Sequence, residues 1–134
     1  MNYILDTNIC IYWLKGNRDI ESKVLKIGFE SVSISFVTLC ELYFGAYKSQ
    51  KIKDNISNIE KLKENLNVVE SNSVVCETFG KLKASLVKEG RVIDDADILI
   101  AACALEEGAV LVTNNEKHFK SIKELELENW MSDE

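Results

Sequence analysis

Three carboxylates in this chain stand where carboxylates are hard to keep. Asp6 lies in "YILDTNICIYWL", Glu41 in "FVTLCELYFGA" and Asp97 in "IDDADILIAACAL", each embedded in apolar sequence. None has a Lys or Arg within four residues, the reach of an ion pair along a helix. A carboxylate removed from water must be protonated, hydrogen-bonded, or matched by a charge brought from elsewhere. Ordinary structural roles are also open to them. Asp6 can cap the helix that follows it. Thr38-Leu39-Cys40-Glu41 fits a capping box, in which the Glu bonds back to the helix start. Asp94, Asp95 and Asp97 can all complement a helix dipole.

Asp97 resists the structural explanation best. Ala101, Ala104 and Gly108 follow it at helical spacing, a small-residue stripe that suits close packing and turns Asp97 toward protein. Asp94 lies one turn earlier on the same edge, and two carboxylates so placed repel unless a cation separates them or one is protonated. Hard oxygen donors of this kind suit Mg²⁺ or Mn²⁺. A divalent ion held by carboxylates orients water and stabilises charge on phosphoryl oxygens, which is chemistry for phosphodiester hydrolysis. Asp97 is therefore read as an acid whose counter-charge is a divalent cation shared with Asp6, not a group of the chain. Asp95 reads as an ordinary helix-start charge.

Other site chemistries have less support. Cys10, Cys40, Cys76 and Cys103 are unevenly spaced with no C-x-x-C pair, and they read as core thiols rather than disulfides or a zinc site. His118 is the single histidine, so a multi-histidine metal site is excluded. As a general base it would need a nucleophile and an orienting partner that the sequence does not advertise.

The elements that must position the acids alternate in type. "NYIL", "SVSIS", "NVVE" and "AVLVT" read as strands, and "LELENW" as a last edge strand. Between them, helices are predicted over "ICIYWLKG", "DIESKVLKIG", "VTLCELYFGAYKS", 51–66, 74–89 and 94–107, several closed by a glycine. In 51–66 the apolar face is Ile52, Ile56, Ile59, Leu62 and Leu66; in 74–89 it is Val75, Phe79, Leu82 and Leu86. Alternating strands and helices imply a parallel sheet covered on both faces, with sites beyond the carboxyl ends of the strands. Asp6 follows the first strand and Asn114 and Asn115 follow "VLVT", so they are expected on one rim.

With 134 residues, no proline, no low-complexity tract and no repeat, a single domain over 1–134 is expected. The net charge of −6 argues against a nucleic-acid partner, but its distribution qualifies that. Residues 48–91 carry nine basic and six acidic side chains, whereas residues 92–134 carry three and eleven. A mildly basic middle can face a phosphate backbone, or be a solvated helix surface. "MNYILDTN" lacks the basic and apolar regions of a secretory signal, so a cytoplasmic location without membrane insertion is expected.

"YILDTNICIYWLKG", "SFVTLCELYFGA", "GRVIDDADILIAACALEEGAVLVTNNEKHF" and "LELENW", in this order, cover nearly the whole chain. Together they resemble the PIN-domain ribonucleases, and most closely the VapC toxins of type II toxin–antitoxin pairs. The resemblance implies an α/β/α sandwich around a parallel sheet, with an acidic pocket for Mg²⁺ or Mn²⁺. It implies that Asp6, Glu41 and Asp97 form the catalytic, metal-binding centre. Many members carry a fourth acid where this chain has Asn115; Asp94, one turn before Asp97, is the candidate substitute inferred from spacing. Thr7, Asn8, Thr113, Asn114 and Asn115 would hold carboxylates or waters around the centre. The resemblance further implies a structured RNA substrate such as tRNA or rRNA, a homodimer, and a VapB-like antitoxin that occludes the site. Tyr43, Phe44 and Tyr47 are placed to line such a groove, although core packing is expected for at least two of them.

Two other functions remain open on sequence grounds. One is a PIN-like binding module with weak catalysis, favoured by Asn115. The other is a phosphotransfer or phosphatase domain using Asp6 as nucleophile, disfavoured by Asn8 where haloacid-dehalogenase-like enzymes carry a second Asp.

Overall fold

A computed structural model describes residues 1–131, so the last three residues of the expected 1–134 domain lie outside the described residues. Strands β1 (Tyr3–Leu5), β2 (Val32–Ser35), β3 (Asn67–Val69), β4 (Val110–Val112) and β5 (Leu127–Glu128) form one sheet in the order β3-β2-β1-β4-β5. Every pairing is parallel. The helices are α1 (Thr7–Leu14), α2 (Arg18–Ile27), α3 (Phe36–Tyr47), α4 (Ile52–Asn65), α5 (Ser73–Lys88), α6 (Asp95–Glu106) and α7 (Glu116–Phe119).

The pleat sorts the apolar residues into two cores. Leu5, Val32, Ile34 and Val112 pack on one face with Ile9, Ile20, Val24, Ile59 and Leu62 from α1, α2 and α4. Ile4 and Leu111 point the other way, into Val75, Phe119 and the run Ile100 to Ala104 from α5, α6 and α7. Successive strand residues face opposite layers, so three-residue strands suffice to serve both. The result is the expected α/β/α sandwich. Helix α6 is apolar on nearly all sides because it is enclosed: Ile98 and the residues from Ile100 to Ala104 are all buried.

Glycine closes α1 and α6 through residues that L side chains rarely match. Gly16 and Gly108 have φ of +95° and +60°, and each amide turns back onto the preceding helix, to Trp13 and Leu105 respectively.

The structure departs from the expected elements where the signal was local and short. Only Leu127 and Glu128 of "LELENW" pair. Helix α7 and a single 3₁₀ turn at Phe29–Ser31 are too brief to show a period. In α4, Ile59 and Leu62 are buried, while Ile52, at the start of the predicted face, is 42% exposed. Among the cysteines, Cys10 and Cys103 are core thiols, but Cys40 and Cys76 are exposed. They lie on the outer faces of α3 and α5, which correctly predicted helices present to solvent.

The strand order places the chain reversal next to β1. From β1 the chain moves outward through β2 and β3, then returns to lay β4 on the other side. Crevices form at such a switch, beyond the carboxyl ends of the strands.

Candidate active site

Asp6 leaves the end of β1 at this crevice. Its backbone N–H is given to the Val112 carbonyl at 3.0 Å, which ties the β1 and β4 ends together. Its backbone is extended (φ −75°, ψ 172°), and Oδ1 accepts the Ile9 N–H at 2.9 Å, so Asp6 does cap α1. Capping does not satisfy the charge. The side chain is only 6% exposed, and burial raises its pKa above the ordinary 3.8. The Thr113 hydroxyl and the Ile9 amide pull the value down, while the charges of Asp97 and Glu41 add to the rise. Helix α1 and the ends of β1 and β4 thus bring Asp6 within electrostatic reach of both other acids.

Glu41 reaches this centre because α3 starts earlier than a capping box would need. Ser35 is the N-cap, and its Oγ accepts the Thr38 N–H at 3.1 Å. Glu41 therefore falls in the second turn and does not bond back to the helix start. Its Oε1 instead accepts the hydroxyl of Thr7. Thr7 has one hydroxyl hydrogen, and it is given to Glu41. In the 3.1 Å contact between Thr7 and Thr38, Thr38 must then be the donor. Ser35 Oγ donates in turn to Thr38 at 3.3 Å. A one-way chain of hydroxyls runs from Ser35 through Thr38 and Thr7 to Glu41, and Ser35 and Thr38 are fully buried.

Asp97 is the third residue of α6 and is half-buried. Its Oδ2 lies 2.9 Å from Nε2 of His118 on α7. Asp97 thus has a hydrogen-bonding partner inside the chain, beside the expected cation, and that partner is a residue its sequence neighbours do not mark. The contact spans 21 positions, far beyond helical reach, so neighbouring residues carry no trace of it.

The remaining candidates separate. Thr7 and Thr113 sit against Glu41 and Asp6. Thr113, fully buried, also accepts the Asn115 N–H through Oγ1 at 3.0 Å. Asn8, Asn114 and Asn115 are exposed, and Asn115 contributes its backbone rather than a side-chain cap to α7. Asp94 occupies the N-cap position of α6, exposed and without a cap bond, and it is not among the charges that act on Asp6. Asp95 pairs with Lys83 at 2.9 Å, joining α5 to the start of α6 on the surface.

Asp97 and Glu41 are each near enough to act on Asp6, yet the three acids are not closed around a point. Among the described residues, no three His, Cys, Asp or Glu side chains converge as an ion-holding group. Each is turned to its own partner: Asp6 to Ile9, Glu41 to Thr7, Asp97 to His118. Among the described residues, neither Asp6 nor Glu41 has a cationic partner within salt-bridge distance.

Comparison with known proteins decides the family. The PIN-domain model matches residues 3–125. The chain belongs to the PIN-domain family, in its VapC branch. It is 37% identical to ribonuclease VapC2 of Rickettsia felis over 132 residues, covering 97% of this chain and 98% of that one. To the tRNA(fMet)-specific endonuclease VapC of Shigella flexneri it is 32% identical over 130 residues, covering 97% and 98%. Among solved structures, VapBC2 of Rickettsia felis bound to a DNA fragment from its promoter matches with a TM-score of 0.91 and 34% identity, covering 98% of this chain and all of that one.

Within this VapC fold, the groove beside Glu41 is lined by Ile11, Leu14, Leu42, Ala46 and Ile59 of α1, α3 and α4. The aromatic residues past Glu41 are less buried than expected. Phe44 and Tyr47 are 66% and 63% exposed. Tyr43 is half-buried and donates its hydroxyl to Glu60 Oε1 at 2.7 Å, bracing α3 against α4. Among the described residues, no helix is long and apolar enough to cross a membrane.

Proposed function

We propose that the chain is a metal-dependent endoribonuclease, the toxin of a VapBC-type module, with Asp6, Glu41 and Asp97 as its catalytic acids. The observation that carries this reading is a buried Asp6 whose charge is opposed by Asp97 and Glu41 and, among the described residues, is not matched by a basic side chain within salt-bridge distance. In kind, these hard oxygen donors fit Mg²⁺ or Mn²⁺. Asp6 and Asp97 would hold the ion, with Glu41 beside them. A bound divalent ion supplies positive charge opposite the phosphoryl oxygens, which an acidic protein otherwise lacks.

The chain's own residues do the rest. Glu41, with Oε1 engaged by Thr7, offers Oε2 to take a proton from the attacking water. The hydroxyl chain behind Thr7 fixes the carboxylate for that task. Thr113 and the Ile9 amide offset part of the rise that burial imposes on the Asp6 carboxyl. A structured RNA such as tRNA is the proposed substrate, supported by the name of the Shigella relative. A VapB-like antitoxin is the proposed partner, supported by the Rickettsia complex. A homodimer working in the cytoplasm completes the reading.

One observation favours a second reading, a PIN-like module with weak catalysis: the three acids do not converge. Total RNA incubated with purified chain freed of antitoxin separates the two. The nuclease reading expects discrete cleavage with Mg²⁺ or Mn²⁺ and none with EDTA. It also expects Asp6→Ala and Asp97→Asn to abolish cleavage while still melting cooperatively. Intact RNA with either ion, or undiminished cleavage by both variants, refutes it.

A further inference from the structure

We propose that His118 is a positioning residue for Asp97: its Nε2–H holds Oδ2 and leaves Oδ1 as the oxygen offered to the cation. The inference rests on the metal-dependent reading above and adds a residue to it. An ionised carboxylate only accepts hydrogen bonds, so at 2.9 Å the hydrogen belongs to Nε2. Among the described residues, Oδ1 has no hydrogen bond from the chain.

The imidazole is built into place. Its neighbour Phe119 is 2% exposed in the core against α6 and β4. The two rings meet edge to face, 5.3 Å apart at 82°. The His118 N–H bonds to the Asn115 carbonyl at 3.1 Å, and the Asn115 N–H bonds to Thr113 Oγ1 at 3.0 Å. Thr113 is the residue whose hydroxyl acts on Asp6. Helix α7 is thus located by the same threonine that addresses one acid, while its histidine grips another. Asp6 and Asp97 are set relative to each other through Thr113, Asn115 and His118. Hydrogen bonds to metal-binding carboxylates from outside the site orient them, and losing one weakens metal binding about 10–100-fold.

Titration of the purified full chain with Mn²⁺, with free ion read by electron paramagnetic resonance, tests this without reference to activity. His118→Ala should bind Mn²⁺ about 10–100-fold more weakly than the parent. His118→Gln, whose amide nitrogen takes the place of Nε2, should recover most of the loss, and the shorter His118→Asn should not. Affinity of His118→Ala within about twofold of the parent overturns the proposal, and tighter binding overturns it by making His118 a competitor for Asp97. If His118→Ala does not melt cooperatively, equal affinities for the Gln and Asn variants overturn it instead. A parent that binds no Mn²⁺ overturns the metal-dependent reading, and this inference with it; binding by the parent with no effect of His118 removes only the inference.

Discussion

Asp6→Asn separates the two things that this side chain does. The amide oxygen can still accept the Ile9 N–H, and Asn caps helices as well as Asp. What disappears is a negative charge held at 6% exposure and opposed by Asp97 and Glu41. Single stabilising substitutions, charge optimisation among them, commonly contribute about 0.5–2 kcal/mol, the range expected for removing this opposed charge. For 134 residues, an unfolding entropy of about 2.1 cal/mol/K per residue makes each kcal/mol worth roughly 3.6 °C. The metal-free variant should therefore melt about 2–7 °C above the parent at neutral pH. The sign follows from the raised pKa. The parent has its full stability below the unfolded-chain value of 3.8 and loses part of it as pH rises through the folded-state value. Asn does not titrate, so the gap between variant and parent should close in acid. Divalent metal works in the opposite sense: at a hundred times its Kd it stabilises the parent by about 2.7 kcal/mol and the variant by less. Thermal melts across pH, in EDTA and in Mg²⁺, read all three effects. An Asp6→Asn protein that melts below its parent at neutral pH in EDTA, or whose advantage persists in acid, would refute the reasoning.

Thr38→Val keeps volume but cuts the hydroxyl chain, stranding the buried Ser35 hydrogen at a cost of about 1–3 kcal/mol; urea melts measure this. Cleavage should fall through kcat rather than KM, with Thr38→Ser restoring it, because Thr38 touches Glu41 only through Thr7. Thiol labelling of the native chain should find Cys40 and Cys76 quickly and Cys10 and Cys103 only on unfolding. Burial raises both core thiols, Cys103 to about 11, so modification of Cys10 before unfolding would contradict the packing of α1.

What sequence could reveal tracks how local the determining force is. Short apolar strands alternating with amphipathic helices are visible along the chain and imply a parallel sheet covered on both faces. The sorting of Ile4 and Leu111 from Leu5 and Val112 into two cores emerges only in the structure. Asp6, Glu41 and Asp97 stood out because an acid without a nearby cation is visible within a few residues. The capping box failed for a local reason too: Ser35 offers the same cap three residues before Thr38, and β2 ends there. His118 was invisible for the opposite reason. Its partner lies across the fold, and only the docking of α7 through Phe119 brings the two together. Asp94 looked like Asp97's companion because helical spacing reports which residues share a face, but not where the face turns. The structure leaves Asp94 exposed, and the partner that Asp97 has is the His118 imidazole.

The pairing of β1 with β4 has a consequence for the order of events in synthesis. Tyr3 pairs with Val110 and Leu5 with Val112, so the central strand made early waits for a neighbour made late. Contacts of such sequence separation slow folding, and a domain generally folds as a unit during synthesis. Thr113 and His118 lie beyond that pairing. A nascent chain that carries Asp6, Glu41 and Asp97 still lacks the residues that set Asp6 and Asp97 against each other. The acidic centre is therefore completed only after His118 has been translated, a delay written into the strand order.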